Sequence, residues 1–461
     1  MNALRRLGLS LIMAGLSWPL ITLAQTDYPR LANYYLSYFN RAQYAQLARW
    51  DLLVLQPDLV YYQAPFFAYY RAQRPAGKLL AYTYPATFYR PSVWYDYWGW
   101  RQNIFRAINQ HDWWLKDARG QVVASWPNMS VVNLTNPDWR DFNLHYLDKT
   151  FSLKEKWDGV FYDLVDAKAS LYNQSGIDIN ADGRADAPAQ VDAAWQAAMA
   201  QWLAASRQLW PDKLIMINGN SLSTYQGAIN GRMFEEFPTP WEAGGTWADS
   251  MRQYLSRLPA LNLKPDLYII NVAYNPQSAR NFYQQMRFGL TSTLLGDGYF
   301  SFDNGAASHA QVWWFDEYNV NLGESLGRPV NLSAPGATDI TAGLWRRDFS
   351  GGVVFVNASS VPGQLRLPAG RFKRLRGWQD PLINNGQAVD SLLLCPKDGI
   401  ILLRQNTAQP ELAGDYLSSI DRPAAEHNRS RWGLVQRRLK QGRDKLIIWF
   451  NYYYYGQQNR H

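Results

Sequence analysis

Short, near-continuous apolar runs recur along the chain from Asn33 to Phe302, separated by longer stretches with helical spacing. Asn33–Phe39 (NYYLSYF), Asp51–Pro57 (DLLVLQP), Lys78–Tyr84 (KLLAYTY) and Gly159–Leu164 (GVFYDL) read as four strands. Leu214–Asn218 (LIMIN), Arg232–Glu236 (RMFEE) and Asp266–Val272 (DLYIINV) add three more, and Thr293–Phe302 (TLLGDGYFSF) contains an eighth. Strands that are apolar throughout belong in a parallel sheet covered on both faces. Ala189–Trp210, followed by Pro211, and Ser278–Leu290 predict helices between them. Eight such units predict a (β/α)8 TIM barrel. A doubly wound open sheet competes, but no glycine-rich phosphate loop follows the first strand.

From about Asp339 the pattern changes. Gly343–Phe349, Gly352–Asn357, Gly363–Leu367, Arg371–Leu375 and Gly399–Leu403 are short runs parted by Gly, Pro and Asn. They predict an antiparallel β-sandwich domain, with a hairpin turn at Gly351-Gly352. The expected division is a leader over 1–24, a barrel over 25–335, a β-domain over 336–404 and a tail over 405–461. The leader reading rests on Arg5 and Arg6, an apolar run, and small residues ending at Ala24. It predicts an exported chain, periplasmic or extracellular and bacterial; the competing reading is an uncleaved anchor. The tail carries a basic segment, Arg429–Lys440, and an aromatic end. It suits a solvated helix or a contact with a membrane surface or assembly partner.

Composition narrows the function. Of 461 residues, 47% are hydrophobic and 18% charged, which excludes a disordered chain. A net charge of +8 without a dense basic run gives no footprint for nucleic acid. Cys395 is the single cysteine, so neither a disulfide framework nor a cysteine-ligated metal site is available. No HExxH, paired zinc spacing or GxSxG elbow is present. The 21 Trp and 29 Tyr suit either a large core or sugar binding, since their flat faces and polar edges match sugar rings.

Catalytic groups of a barrel project from the C-terminal ends of its strands. The fourth run places Asp163 there, with Asp166 as a competitor; the sixth places Glu235 and Glu236, of which strand alternation lets one face the mouth. Asp163 and Glu235 form the predicted pair for glycosidic cleavage, Asp163 as nucleophile or base and Glu235 as acid. No cofactor is required for that chemistry. Asn218, Asn220, Asp297 and Asp303 sit near other strand ends as candidate substrate contacts. Tyr84, Trp94 and Trp241, with Trp113-Trp114 and Trp313-Trp314 after the third and eighth strands, are candidate sugar-stacking residues. Asp178, Asn180, Asp182, Arg184 and Asp186 have the alternating spacing of a calcium loop with Gly183 at its sixth position, although Ala189 replaces the closing Glu. A plain Asp/Asn/Gly turn is the other reading.

The segments DGVFYDLVD, MFEEF, DWWLKDARGQVVASW…VVNLTNPDWRDF and LGDGYFSFD…VWWFDEYNVNLG resemble the hypothetical glycosyl hydrolases of group fifteen. Those in turn are similar to the endo-α-1,4-polygalactosaminidases and, more distantly, to α-amylase-like barrels. The resemblance spans roughly Asn33 to Arg404. It implies a barrel, a C-terminal β-domain and glycoside hydrolysis, with the functional Asp of the fourth strand at Asp163 and the Glu of the sixth at Glu235. The expected substrate is a polysaccharide or oligosaccharide. The competing functions are a non-catalytic carbohydrate-binding barrel tied to exopolysaccharide production or export, and a different barrel hydrolase or lyase using the same carboxylates.

Overall fold

The computed structural model describes residues 28–407 except 97–98, 174–175, 242–243, 256–261 and 306–308. The expected leader and all but the first residues of the expected tail therefore lie outside the described residues. Eight parallel strands form a nearly closed, barrel-like sheet in chain order. They are β1 (Ala32–Tyr34), β2 (Leu52–Leu55), β3 (Lys78–Thr83), β4 (Gly159–Val165), β5 (Leu214–Gly219), β6 (Gly231–Phe234), β7 (Ile269–Ala273) and β8 (Tyr299–Asp303). A parallel bridge between Leu31 and Phe300 brings the last strand back to the first. The arrangement is that of a (β/α)8 barrel. The first predicted strand is the one that differs most, since it leaves the sheet after Tyr34 and not at Phe39.

Period-two alternation sends every second side chain into the barrel. Ala32, Tyr34, Leu52, Val54, Leu80, Tyr82, Phe161, Met216, Met233, Ile269 and Tyr299 fill it as one buried cluster. The other faces pack outward against the helices. These include α1 (Ala64–Gln73), α2 (Trp100–His111), α3 (Pro137–Phe151), α4 (Pro188–Leu209), α5 (Trp247–Leu255) and α6 (Phe282–Thr293). Pro137 and Pro188 start α3 and α4 where a missing N–H costs nothing. The chain between β3 and β4 is more than a loop. Thr87–Tyr89, Ala124–Trp126 and Met129–Val131 form a small antiparallel sheet, and Lys116–Asp117 pairs with Ile177–Asp178.

The C-terminal part begins earlier than residue 336. Its five-stranded antiparallel sheet runs β9 (Val330–Asn331), β10 (Leu344–Asp348), β11 (Gly352–Asn357), β15 (Asp398–Arg404), β13 (Phe372–Arg374). A two-stranded ribbon, β12 (Gly363–Arg366) with β14 (Ser391–Leu394), faces it across a core of Val353, Phe355, Leu365, Leu392 and Leu402. The expected sandwich is thus one sheet and a ribbon. The turn between β10 and β11 lies at the predicted glycines, closed by mutual Phe349 and Gly352 main-chain hydrogen bonds.

Among the described residues no helix is long and apolar enough to cross a membrane.

Candidate active site

Following the inward register upward, apolar residues give way to polar ones at the C-terminal end of the barrel. Asp163 stands two residues after Phe161, Asn218 after Met216, Glu235 after Met233, and Asn271 after Ile269; Asp303 stands four after Tyr299. The same alternation that fills the barrel therefore brings these five side chains to one mouth.

The β4 strand is bulged there. Its pairing with β5 shifts between Ile217 and Gly219, and Leu164 takes up the extra length with a φ of 56°. Bulges re-aim side chains beside sites. Across from it, Gly219 has a φ of 127°, and a Cβ there would lie 2.5 Å from the Val165 carbonyl oxygen. Asp163 is held by three donors. Tyr82 Oη donates at 2.5 Å, Asn218 Nδ2 at 2.9 Å and the Leu164 main-chain N–H at 2.8 Å.

Asn218 Nδ2 also donates to Glu235 Oε2 at 2.8 Å. The two carboxylate oxygens sharing that nitrogen are separated by at most the sum of the two lengths, about 5.7 Å. Because the two N–H bonds of an amide diverge by about 120°, a separation near ~5 Å follows. Only a nitrogen can face two carboxylates, which fixes the orientation of the amide. Burial, then the nearby Asp163 charge, pushes the Glu235 carboxyl up to about 7, against the pull of His309 and the Asn218 hydrogen bond.

Glu236, the alternative to Glu235, is exposed with a φ of 53° just after the strand ends at Phe234. Asp166, the alternative to Asp163, accepts from Tyr172 Oη at 2.8 Å. Burial raises its pKa, opposed by Tyr172. Among the other candidates, Tyr84 lies beside the pair, its hydroxyl 3.0 Å from that of Tyr82. Asp303 is fully buried and accepts from Asn271 Nδ2 at 3.0 Å and from the Gly305 N–H at 2.8 Å. Asn220 braces the loop after β4 through the Ala167 N–H at 2.9 Å. Trp94 and Trp241 are exposed, in the loops after β3 and β6.

The structure moves two expectations away from the mouth. Asp297 precedes β8, at the opposite end of the barrel, where it accepts from Tyr28 Oη at 2.6 Å and Arg347 Nη2 at 2.7 Å. Trp113, Trp114, Trp313 and Trp314 are buried core residues and present no face to a ligand. Trp313 packs on Phe282 and Phe302, and Trp314 on Trp50 and Tyr318. In all, at least twelve of the 21 Trp are buried, so most of the aromatic excess fills the core.

The 178–186 loop is ordered by its own side chains. Asp178 accepts from the Asp182 and Gly183 N–H groups, Asn180 from Asp182, Asp182 from Arg184, and Asp186 from Ile179. Among the described residues no three His, Cys, Asp or Glu side chains are grouped so as to hold a metal ion.

Three residues of the cluster were not anticipated: Tyr82, Asn271 and His309. His309 donates or accepts through Nδ1 at 2.8 Å from Asp303 Oδ2, and its Nε2 lies 4.0 Å from Glu235 Oε1. Its place in the loop after β8 is a signal that the sequence held.

Two bridged carboxylates at the C-terminal mouth of a parallel barrel are the layout of a glycoside hydrolase. The chain belongs to hypothetical glycosyl hydrolase family 15, whose model matches residues 71–353. Among the solved structures similar to it at low identity are two glycoside hydrolases. The glycoside hydrolase domain of PelA from Pseudomonas aeruginosa is 16% identical over 60% of this chain and 95% of that one, with a TM-score of 0.38. The GH36 α-galactosidase AgaA from Geobacillus stearothermophilus is 12% identical over 82% of this chain, which spans 56% of that one, with a TM-score of 0.44. No curated protein matches the chain.

Proposed function

We propose that the protein is an exported, retaining glycoside hydrolase acting on a polysaccharide or oligosaccharide. The observation that carries this reading is the single Asn218 amide nitrogen bonded to both Asp163 and Glu235. Retaining enzymes hold their carboxyl groups about 5–5.5 Å apart and inverting ones about 6.5–9.5 Å apart, leaving room for a water. The separation near ~5 Å that Asn218 sets between the two bridged oxygens supports the first class.

Glu235, with its pKa near about 7, is still protonated in a useful fraction at neutral pH. It gives its proton to the glycosidic oxygen as an Asp163 oxygen attacks the anomeric carbon, so that the C–O bond to the leaving group breaks and a glycosyl ester forms. Glu235, now a carboxylate, takes a proton from water. The resulting hydroxide displaces Asp163 and releases the sugar with its original anomeric configuration. Tyr82, Asn218 and the Leu164 N–H hold the attacking carboxylate in one orientation through both steps.

Amino-sugar and neutral polysaccharides, with product anomers followed by NMR, provide the test. Retention is expected, together with a loss of at least about 10³-fold in kcat for Asp163→Asn and for Glu235→Gln. Inverted product would overturn the nucleophile assignment. Binding without hydrolysis by the unaltered protein would favour a carbohydrate-binding barrel.

A further inference from the structure

We propose that His309 is a positioning residue for the acid/base group, steadying the Glu235 carboxylate after its proton has gone to the leaving oxygen. The proposal rests on the glycosidase reading for the role of Glu235, and on separate geometry for the role of His309.

The imidazole is fixed from three sides. Its Nδ1 is 2.8 Å from the buried Asp303 Oδ2, and Asp303 is itself held by Asn271 and the Gly305 N–H. Because a carboxylate only accepts, Nδ1 carries the proton and Nε2 is the free edge. The ring stands edge-on to Tyr34 with centroids 4.6 Å apart. Its main chain is tied down as well: the Leu36 N–H donates to the His309 carbonyl at 2.8 Å, and Asn33 Nδ2 to the Gln311 carbonyl at 2.9 Å. With the ring so held, Nε2 faces Glu235 Oε1 at 4.0 Å.

The groups that face Glu235 are Asp163 from β4, the Asn218 amide from β5, Asp303 and His309 from β8 and the loop after it, and the Tyr34 phenol from β1; the Tyr82 phenol is bonded to Asp163. Glu236 on its own strand end is exposed. Asp163 and Asp303 both disfavour a second negative charge, whereas His309 favours it. Burial works against a charged imidazole, but Asp303, Glu235 and Asp163 together outweigh it and hold the ring above its ordinary range. Protonated at Nε2, which lies 4.0 Å from Glu235 Oε1, the imidazole favours the carboxylate state of Glu235 during the cycle. Without it, Glu235 would hold its proton more tightly. Asp303, a candidate substrate contact on sequence grounds, acts here through His309.

The test is an NMR titration of the Glu235 carboxyl in the full chain carrying ¹³C-labelled glutamate, with its signal assigned by loss in Glu235→Gln. In His309→Gln and in His309→Phe the titration is expected to move upward by about one pH unit. A merely structural role would leave it in place. His309→Phe keeps an aromatic ring against Tyr34 and provides the reading should His309→Gln fail to fold. Titration at the unchanged pH in a folded variant overturns the proposal and leaves the glycosidase reading intact. Hydrolysis retained by Glu235→Gln would sink that reading and leave the titration result standing.

Discussion

At the residue scale the site works against the fold. Burial, by disfavouring its charge, pushes the Glu235 carboxyl up to about 7 in the folded chain against 4.5 in an open one. A carboxyl with a raised folded pKa contributes fully below the unfolded value, and that contribution is lost as pH rises through the folded one. The window is therefore pH 4.5 to 7. Above it, the ionised group costs about 3 kcal/mol, less some solvent screening. Glu235→Gln is expected to raise the melting temperature at pH 8 and to leave it nearly unchanged at pH 4, as thermal denaturation at the two pH values would read. Equal effects at both would mean that Glu235 does not titrate in this window. The choice between Glu235 and Glu236 was only half legible in the sequence. Alternation dictated that one of them faces inward, but which one depends on the register inherited from Met233. Tryptophan placement was less legible still. A core Trp and a sugar-facing Trp have the same composition, and nothing local in Trp313-Trp314 marks them as packed on Phe282, Phe302 and Trp50.

At the scale of elements, the apolar runs announced the barrel because strands covered on both faces must be apolar along their whole length. The small sheet of Thr87–Tyr89, Ala124–Trp126 and Met129–Val131 was not legible, since strands of three residues leave no periodicity to read. Nor could the oxygen spacing of residues 178–186 separate a calcium loop from consecutive side-chain-to-main-chain turns, because both need Asp or Asn at alternate positions and a Gly between. The β4 bulge was equally hidden, yet it decides where Asp163 points. Gly219 allows it, with a φ of 127° and the Val165 carbonyl occupying the space a Cβ would need. Gly219→Ala would push the two strands apart at the bulge. The expected outcome is a loss of about 2 kcal/mol in stability and of at least about 10-fold in kcat as Asn218 and Asp163 separate. Chemical denaturation and kinetics on the same sample check both. A stable variant with full activity would show that the bulge does not set the site.

At the scale of the whole molecule, the barrel and the C-terminal sheet meet on α6. Every residue from Gln285 to Thr293 is buried, so this part of the helix has no solvent face. One side lies on β7 and β8 and the other on β11 and β15. The approach is close enough that a Cβ on Gly399 would overlap the Thr291 side chain. Arg287 sits in this seam, its guanidinium bonded to Asp398 through Nε and Nη2 at 3.2 Å each and to Asp380 through Nη1 at 2.5 Å. From the other direction, Arg347 of β10 reaches the Leu294 carbonyl at 3.1 Å and Asp297 at 2.7 Å, which explains where that aspartate went. Two parts joined by a helix that neither can leave uncovered should unfold together, in a single calorimetric transition. Arg287→Met would strand two carboxylates in the seam, and removing one partner of a buried pair costs about 3–5 kcal/mol. Burial already raises the Asp398 pKa, with Arg287 opposing it. Without the arginine that rise grows, so the variant keeps its stability below the unfolded aspartate value and loses it as pH climbs. Its deficit should therefore be small near pH 4 and largest at pH 7 and above, in melting curves taken across that range. A deficit independent of pH would mean that Arg287 holds the seam by packing and not by charge.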